Sequence, residues 1–237
     1  MKFSSRRGIF PYISRSRKIY STPKIYIFCG ILMFASEIWK QWTLTFQLNN
    51  GTYIWWYFPF QLCSIPMYVC LAIAVLSLPC VRKHSPRMKV RADRLCSLLM
   101  AFLTDFGMLG GIFAFFDTSG MHYGYLPLTI HSFAWHILLI LLGCYSGLNP
   151  KTDHSLKGYC FSVSLYLICC AIATIFNLAF YQFGIINMFY ISPHYYMNQK
   201  VFCHITEAFG NGYGIASYIT ASIIGAGLIH LLWNGHL

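Results

Sequence analysis

The chain has 237 residues, of which 57% are hydrophobic and only 10% charged, with a mean hydropathy of +0.55. Soluble domains carry about a quarter charged residues, so this composition excludes an ordinary soluble domain and points to a polytopic membrane protein. The formal charge of +11 does not imply a nucleic-acid partner, because the basic residues are segregated into loops, as a bilayer explains.

Residues 1–24 hold Lys2, Arg6, Arg7, Arg15, Arg17, Lys18 and Lys24 with no acid, and read as a basic cytoplasmic segment. Residues 25–237 read as a single transmembrane helical domain. The first apolar stretch is long, carries Glu37 and Lys40, and ends without a small-residue cleavage site. It is therefore expected to be a retained first helix, about Lys24 to Phe46, rather than a signal peptide. A neutral turn with Asn49, Asn50 and Gly51 leads to Trp55–Leu78, 24 residues without a charge. At ~1.5 Å per residue that stretch is long enough to be a second spanning helix, opened by an aromatic cluster suited to a headgroup layer.

The next loop, Cys80 to Arg94, is strongly basic. A third helix is expected at about Leu95–Phe116, with Gly107 and Gly111 as a GxxxG pair for close helix approach. A fourth is expected at Leu126–Leu148, a fifth at Tyr159–Tyr181 and a sixth at Gly212–Trp233. Between the last two, residues 182–211 are long enough to hold a re-entrant segment. The N-terminus and the 80–94 and 149–158 loops hold 7, 6 and 2 Lys or Arg; the alternate loops hold none, none and one. The expectation is an all-α bundle of about six transmembrane helices, both termini cytoplasmic, multi-pass in the cell membrane.

Counted from the outer ends of those helices, most of Glu37, Lys40, Cys63, Asp105, His131, His136 and Asn177 fall between the outer interface and the midplane. Ionisable groups there are costly and face a bundle interior or a wet cavity. One shared polar cavity near the outer leaflet is expected. Glu37 and Lys40, three apart, can pair on one helix face. Asp105 needs a partner from another helix, with Lys40 or a His as candidates. His131 and His136 stand ~140° apart around their helix, which disfavours a metal pair from that helix alone. The ten cysteines form no CxxC pair, so neither a disulfide framework nor a zinc centre is expected, and no metal or cofactor is implied.

Cys63 stands out from the other cysteines, most of which read as small hydrophobes in apolar helices. Pro66, within a continuous helix, would leave the Leu62 carbonyl unpaired and kink the chain beside the thiol. Gln61 and Ser64 add polar groups there. A His at similar depth, His131 or His136, is a candidate base for a thiol nucleophile.

FPFQLCSIPMY resembles the LPxxLC signature of the YwaF-type bacterial integral membrane proteins, with Phe58 in place of the usual Leu. HSFAWHILLILLGCY is similar to their His-containing helix, His136 matching best, and INMFYISP (Asn187–Pro193) to their NYxxLxxP segment. That family extends to the eukaryotic transmembrane protein 164, and it is more distantly similar to androgen-induced lipid hydrolases with a Thr nucleophile and a His. The resemblance implies acyl transfer on phospholipids, with Cys63 as nucleophile and His136 as base.

The leading expectation is thus a lipid acyltransferase or hydrolase using Cys63 with His136 or His131. Glu37, Lys40, Gln61, Ser64, Asp105 and Asn187 would line its cavity, and membrane lipids would be its partners. The alternative is a small ion, proton or solute transporter lined by Glu37, Lys40, Asp105 and His136. A metal-dependent hydrolase using His131, His136, His204 and Glu207, a non-catalytic scaffold, and the oligomeric state are left open by the residues.

Overall fold

The computed structural model describes residues 23–83 and 85–235, and the chain is all-helical within them. Nearly all of the basic 1–24 segment, and the orientation drawn from it, lies outside the described residues.

Helix α1 (Lys24–Trp42) continues through a π-helical segment, Thr43–Leu48. It packs along α2 (Ile65–Leu76), where Gly30 permits the close approach: a Cβ there would stand 3.1 Å from the Cys70 Cβ. After the short α3 (Pro79–Lys83) comes α4 (Pro86–Phe102), capped by Ser85, whose Oγ accepts from the Arg87 N–H at 3.2 Å. It runs through a π-helical turn, Leu103–Gly107, into α5 (Met108–Phe116). The third helix therefore starts at Pro86, not Leu95. Its basic first turns read as loop in a hydropathy pattern, although Ser85-Pro86 is a sound helix start.

Helix α6 (Leu126–Leu148) has the expected ends, and α7 (Leu156–Phe180) and α9 (Asn211–Asn234) lie within a few residues of theirs. Of the GxxxG pair, Gly111 serves α6: a Cβ would come 2.9 Å from the His136 carbonyl oxygen. Gly107 faces Pro66 instead, at 3.4 Å. The two glycines meet different partners.

Among the described residues, four helices are long and apolar enough to cross a membrane: Pro86–Phe116, Leu126–Leu148, Leu156–Phe183 and Asn211–Asn234. That is the core of a membrane-embedded helical protein. The first two expected spans do not reach this standard. Glu37, Lys40 and Gln41 dilute α1, and the apolar helix Leu62–Leu76 is short.

The Trp55–Leu78 stretch corrects the expectation of one helix. It is a 3₁₀ turn (Trp55–Tyr57), an extended bend, a second 3₁₀ turn (Leu62–Ser64) and then α2. Pro59 holds Phe58 at φ −54°, ψ 133°, outside the helical region. Pro66 lies in the first turn of α2, where a missing N–H costs nothing, so it starts a helix instead of kinking one. The Leu62 carbonyl is not freed: it accepts from the Ile65 N–H. The aromatic cluster packs inward, with Trp55 stacked on Phe180 at 6.2 Å and Phe58 on Phe176 at 4.9 Å, both on α7.

Residues 182–211 contain the second non-helical insertion. Ile186 to Phe189 and Ile191 to Ser192 are buried, so the loop folds back into the bundle before α8 (Phe202–Phe209). Buried loop backbone must find partners. Gln61 supplies two: its Nε2 donates to the Asn187 carbonyl at 3.0 Å and its Oε1 accepts from the Phe189 N–H at 2.7 Å. Asn177 on α7 does the same for Met188, donating to its carbonyl at 3.1 Å and accepting from its N–H at 2.7 Å. Asn187 Oδ1 then accepts from the Ser192 N–H at 2.9 Å.

Candidate functional site

The break before α2 and the inserted loop meet around Cys63, which sits one turn ahead of α2. The Cys63 carbonyl accepts from Trp135 Nε1 of α6 at 3.0 Å, fixing the backbone at the thiol. Cys63, Tyr190 and Tyr218 are deeply surrounded by protein atoms yet each keeps accessible surface. The cleft is this meeting point of the broken segment and the inserted loop, where these side chains stay partly exposed.

From α1 comes an ion pair, Lys40 Nζ to Glu37 Oε1 at 2.8 Å, almost withdrawn from solvent. Gln41 Nε2 donates to Glu37 Oε1 at 2.7 Å and to the Tyr57 carbonyl at 2.6 Å, tying α1 to the broken segment. Lys40 is within electrostatic range of Cys63, His131 and His136, with its partner Glu37 opposing it at Cys63 and His131. The helical angle between the two histidines did not keep either from Lys40.

The histidines differ in their bonding. His136 Nδ1 lies 2.7 Å from the Ser132 carbonyl. A carbonyl only accepts, so Nδ1 carries the proton and Nε2 is left with a free lone pair. His131 packs its ring on Trp39 and Trp135, and its Nε2 is buried without a partner. Among the described residues no hydrogen bond joins the Cys63 thiol to either histidine.

Two expected cavity residues are spent on the loop: Gln61 and Asn187 hold backbone and are not free to polarise a substrate. Ser64 is buried beside Cys63, within reach of its thiol. Asp105 is not in this cluster. It lies in the π-helical turn, bonded to His230 Nδ1 of α9 at 3.1 and 3.2 Å, while His230 Nε2 donates to the His154 carbonyl at 3.1 Å. The expected single cavity is thus two polar centres. Depth counted along one helix did not fix height: Asp105 is tied towards the opposite end of the bundle, since His230 lies four residues from the end of α9 and bonds the α6–α7 loop.

No group of three His, Cys, Asp or Glu able to hold a metal comes together among the described residues, and His204 and Glu207 are exposed on α8. This removes the geometry that the metal-hydrolase alternative requires. Sequence reading missed Gln41, which bonds Glu37 and the Tyr57 carbonyl, and the tyrosines Tyr123, Tyr190 and Tyr218, each within electrostatic range of Cys63. In a chain with 17 tyrosines and 20 phenylalanines, aromatic identity alone carried no signal.

Beside the cleft, a groove of about 450 Å³ opens laterally between α1 and α2. Phe34, Ile38, Trp42, Phe46, Met67 and Tyr68 give it an apolar wall, and Glu37 and Gln41 stand at its polar side. Outside the helices, the Ser119 hydroxyl and N–H hold the Asp117 carboxyl below its usual range, with Lys200 Nζ 3.5 Å away. No family model, no curated protein and no solved structure matches the chain.

Proposed function

We propose that this membrane-embedded protein transfers or hydrolyses acyl groups of phospholipids, with Cys63 as nucleophile. The observation that carries this reading is the placement of Cys63. Cys63 stands partly exposed at the N-terminal side of α2, where the broken segment meets the inserted loop, within electrostatic range of the Lys40–Glu37 pair and near an apolar lateral groove. A helix N-terminus stabilises a thiolate, and Lys40 adds to it only as far as its partner Glu37 leaves it uncompensated.

In this reading an acyl chain lies in the groove and its ester carbonyl reaches Cys63. The free Nε2 of His136 takes the thiol proton through one bridging water, then returns it to the leaving alcohol. Water or a lysolipid hydroxyl accepts the acyl group from the thioester. The resemblance of FPFQLCSIPMY and the His136 helix to the YwaF-type proteins supports the same assignment. We also propose that α1, and α2 with its preceding turns, complete six crossings with both ends cytoplasmic.

The test is acyl release from fluorescent phosphatidylglycerol or phosphatidylcholine by purified protein in defined vesicles. Cys63→Ala should abolish it, and wild-type activity in that variant would end the proposal. A second reading, transport, is favoured by one observation: two interrupted backbone segments meet inside the bundle, as in transporters with discontinuous helices. It expects Asp105→Asn to stop proton or ion flux in liposomes while Cys63→Ala is tolerated.

A further inference from the structure

Phe189 and Tyr190 are consecutive residues with side chains in the left-handed region, φ 57° and φ 59°. Non-glycine residues pay for that conformation and keep it only where surroundings enforce it. Here they do: Gln61 fixes the backbone before Tyr190, and the Trp56 ring packs edge-on against the Tyr190 ring at 5.9 Å. The outcome of the strain is the position of one phenol. Tyr190 lies within the cleft, and among the described residues no hydrogen bond engages its hydroxyl. Three phenols border Cys63, but they are not equivalent. Tyr190 directly follows the residue held by Gln61, two positions ahead of Cys63, whereas the Tyr123 ring packs on Tyr57 and the Tyr218 ring on Phe202.

We propose that Tyr190 is the oxyanion donor for acyl transfer by Cys63, and that Gln61 is its positioning residue. This rests on the acyl-transfer reading. As the Cys63 sulfur forms its bond to the ester carbonyl carbon, the C=O electron pair moves onto oxygen. The Tyr190 O–H donates a hydrogen bond to that oxyanion without losing its proton. When the tetrahedral centre collapses, the C–O ester bond breaks, the thioester remains on Cys63, and the leaving alkoxide takes the proton held by His136. Nothing is oxidised or reduced. Gln61 sets the backbone from which the phenol projects, using both ends of its amide on residues 187 and 189.

The experiment uses the full chain in detergent micelles with a long-chain p-nitrophenyl ester, whose leaving group needs no acid. Nitrophenolate release gives kcat and KM, and peptide mass locates the acyl adduct. Iodoacetamide alkylation of Cys63, a reaction with no oxyanion, is followed separately. Tyr190→Phe keeps the ring and is expected to lower kcat on the order of 10²-fold at similar KM, with alkylation unchanged. Gln61→Leu should lower kcat in the same sense. Full kcat in Tyr190→Phe, alongside an inactive Cys63→Ala, overturns the Tyr190 assignment and leaves the Cys63 reading standing. Loss of alkylation together with kcat in Tyr190→Phe makes the tyrosine a packing residue and also overturns it. Wild-type release no greater than that of Cys63→Ala overturns both.

Discussion

His230 and Asp105 share a single proton. The imidazole Nε2 faces the His154 carbonyl at 3.1 Å, and since a carbonyl only accepts, Nε2 is protonated. The remaining proton lies between Nδ1 and the Asp105 carboxyl, so the pair is neutral overall whichever atom holds it. Both side chains are buried, Asp105 completely.

Breaking that pair from one side leaves an uncompensated group in the core. His230→Leu is expected to cost about 3–5 kcal/mol, read as a lower unfolding temperature in detergent. The Asp105→Leu/His230→Leu double variant should be less destabilised than the sum of the singles. Simple additivity would show that the two do not act as a pair.

The inserted loop depends on two side-chain amides. Asn177→Leu removes both bonds to Met188, strands its buried N–H at about 1–3 kcal/mol and leaves its carbonyl only the Ile191 N–H at 3.3 Å. Hydrogen exchange should show residues 186–192 losing protection while α6 keeps its own. Unchanged exchange in the loop would mean its burial does not need the clamp.

Helix approach is set by the absence of a single carbon. A Cβ at Gly111 meets Ile140 Cγ1 at 2.8 Å and the His136 carbonyl at 2.9 Å, so Gly111→Ala must push α5 from α6. A loss of about 1–3 kcal/mol is expected, and the backbone shift includes His136. Gly120→Ala, with nothing within 4 Å, should stay within about 0.5 kcal/mol of wild type. Equal unfolding temperatures for the two variants would contradict this.

Acid stability should carry a contribution from His154. Its Nε2 donates to the Gly147 carbonyl at 3.0 Å, Nδ1 is buried without an acceptor, and burial lowers its basicity below that of ordinary imidazole. The folded state therefore resists the second proton that the unfolded chain accepts. Stability from this site is full above the unfolded value of about 6.5 and falls as pH drops below it. His154→Gln keeps an N–H for Gly147 without titrating. Its unfolding temperature should change less between pH 7 and 5 than that of wild type. Identical slopes would remove His154 from the acid response.

The sequence made the long helices readable and the contacts around them unreadable. Helix α6 could be bounded because Pro127 fits its first turn and Asn149-Pro150 ends it. The break before α2 could not, since the same prolines fit a kinked span or a half-helix. What decides between them is Gln61, which binds a loop 126 residues further along the chain. Asp105 was marked as needing a partner, and a histidine was among the candidates, but nothing local selects His230. Tyr190 is marked in the sequence only by the INMFYISP motif, and its conformation is imposed by tertiary contacts.

Helix α2 has only 12 residues, a rise of ~18 Å against a hydrocarbon core of ~30 Å. If α2 and its preceding turns complete a crossing as proposed, lipid on that face meets the interrupted Phe58–Gln61 backbone instead of a completed helix, which hydrocarbon does not tolerate. The bilayer would then have to thin there, or admit water and headgroups. On the acyl-transfer proposal either response would bring the ester layer nearer to Cys63, and the shortness of one helix becomes part of the route from lipid to thiol.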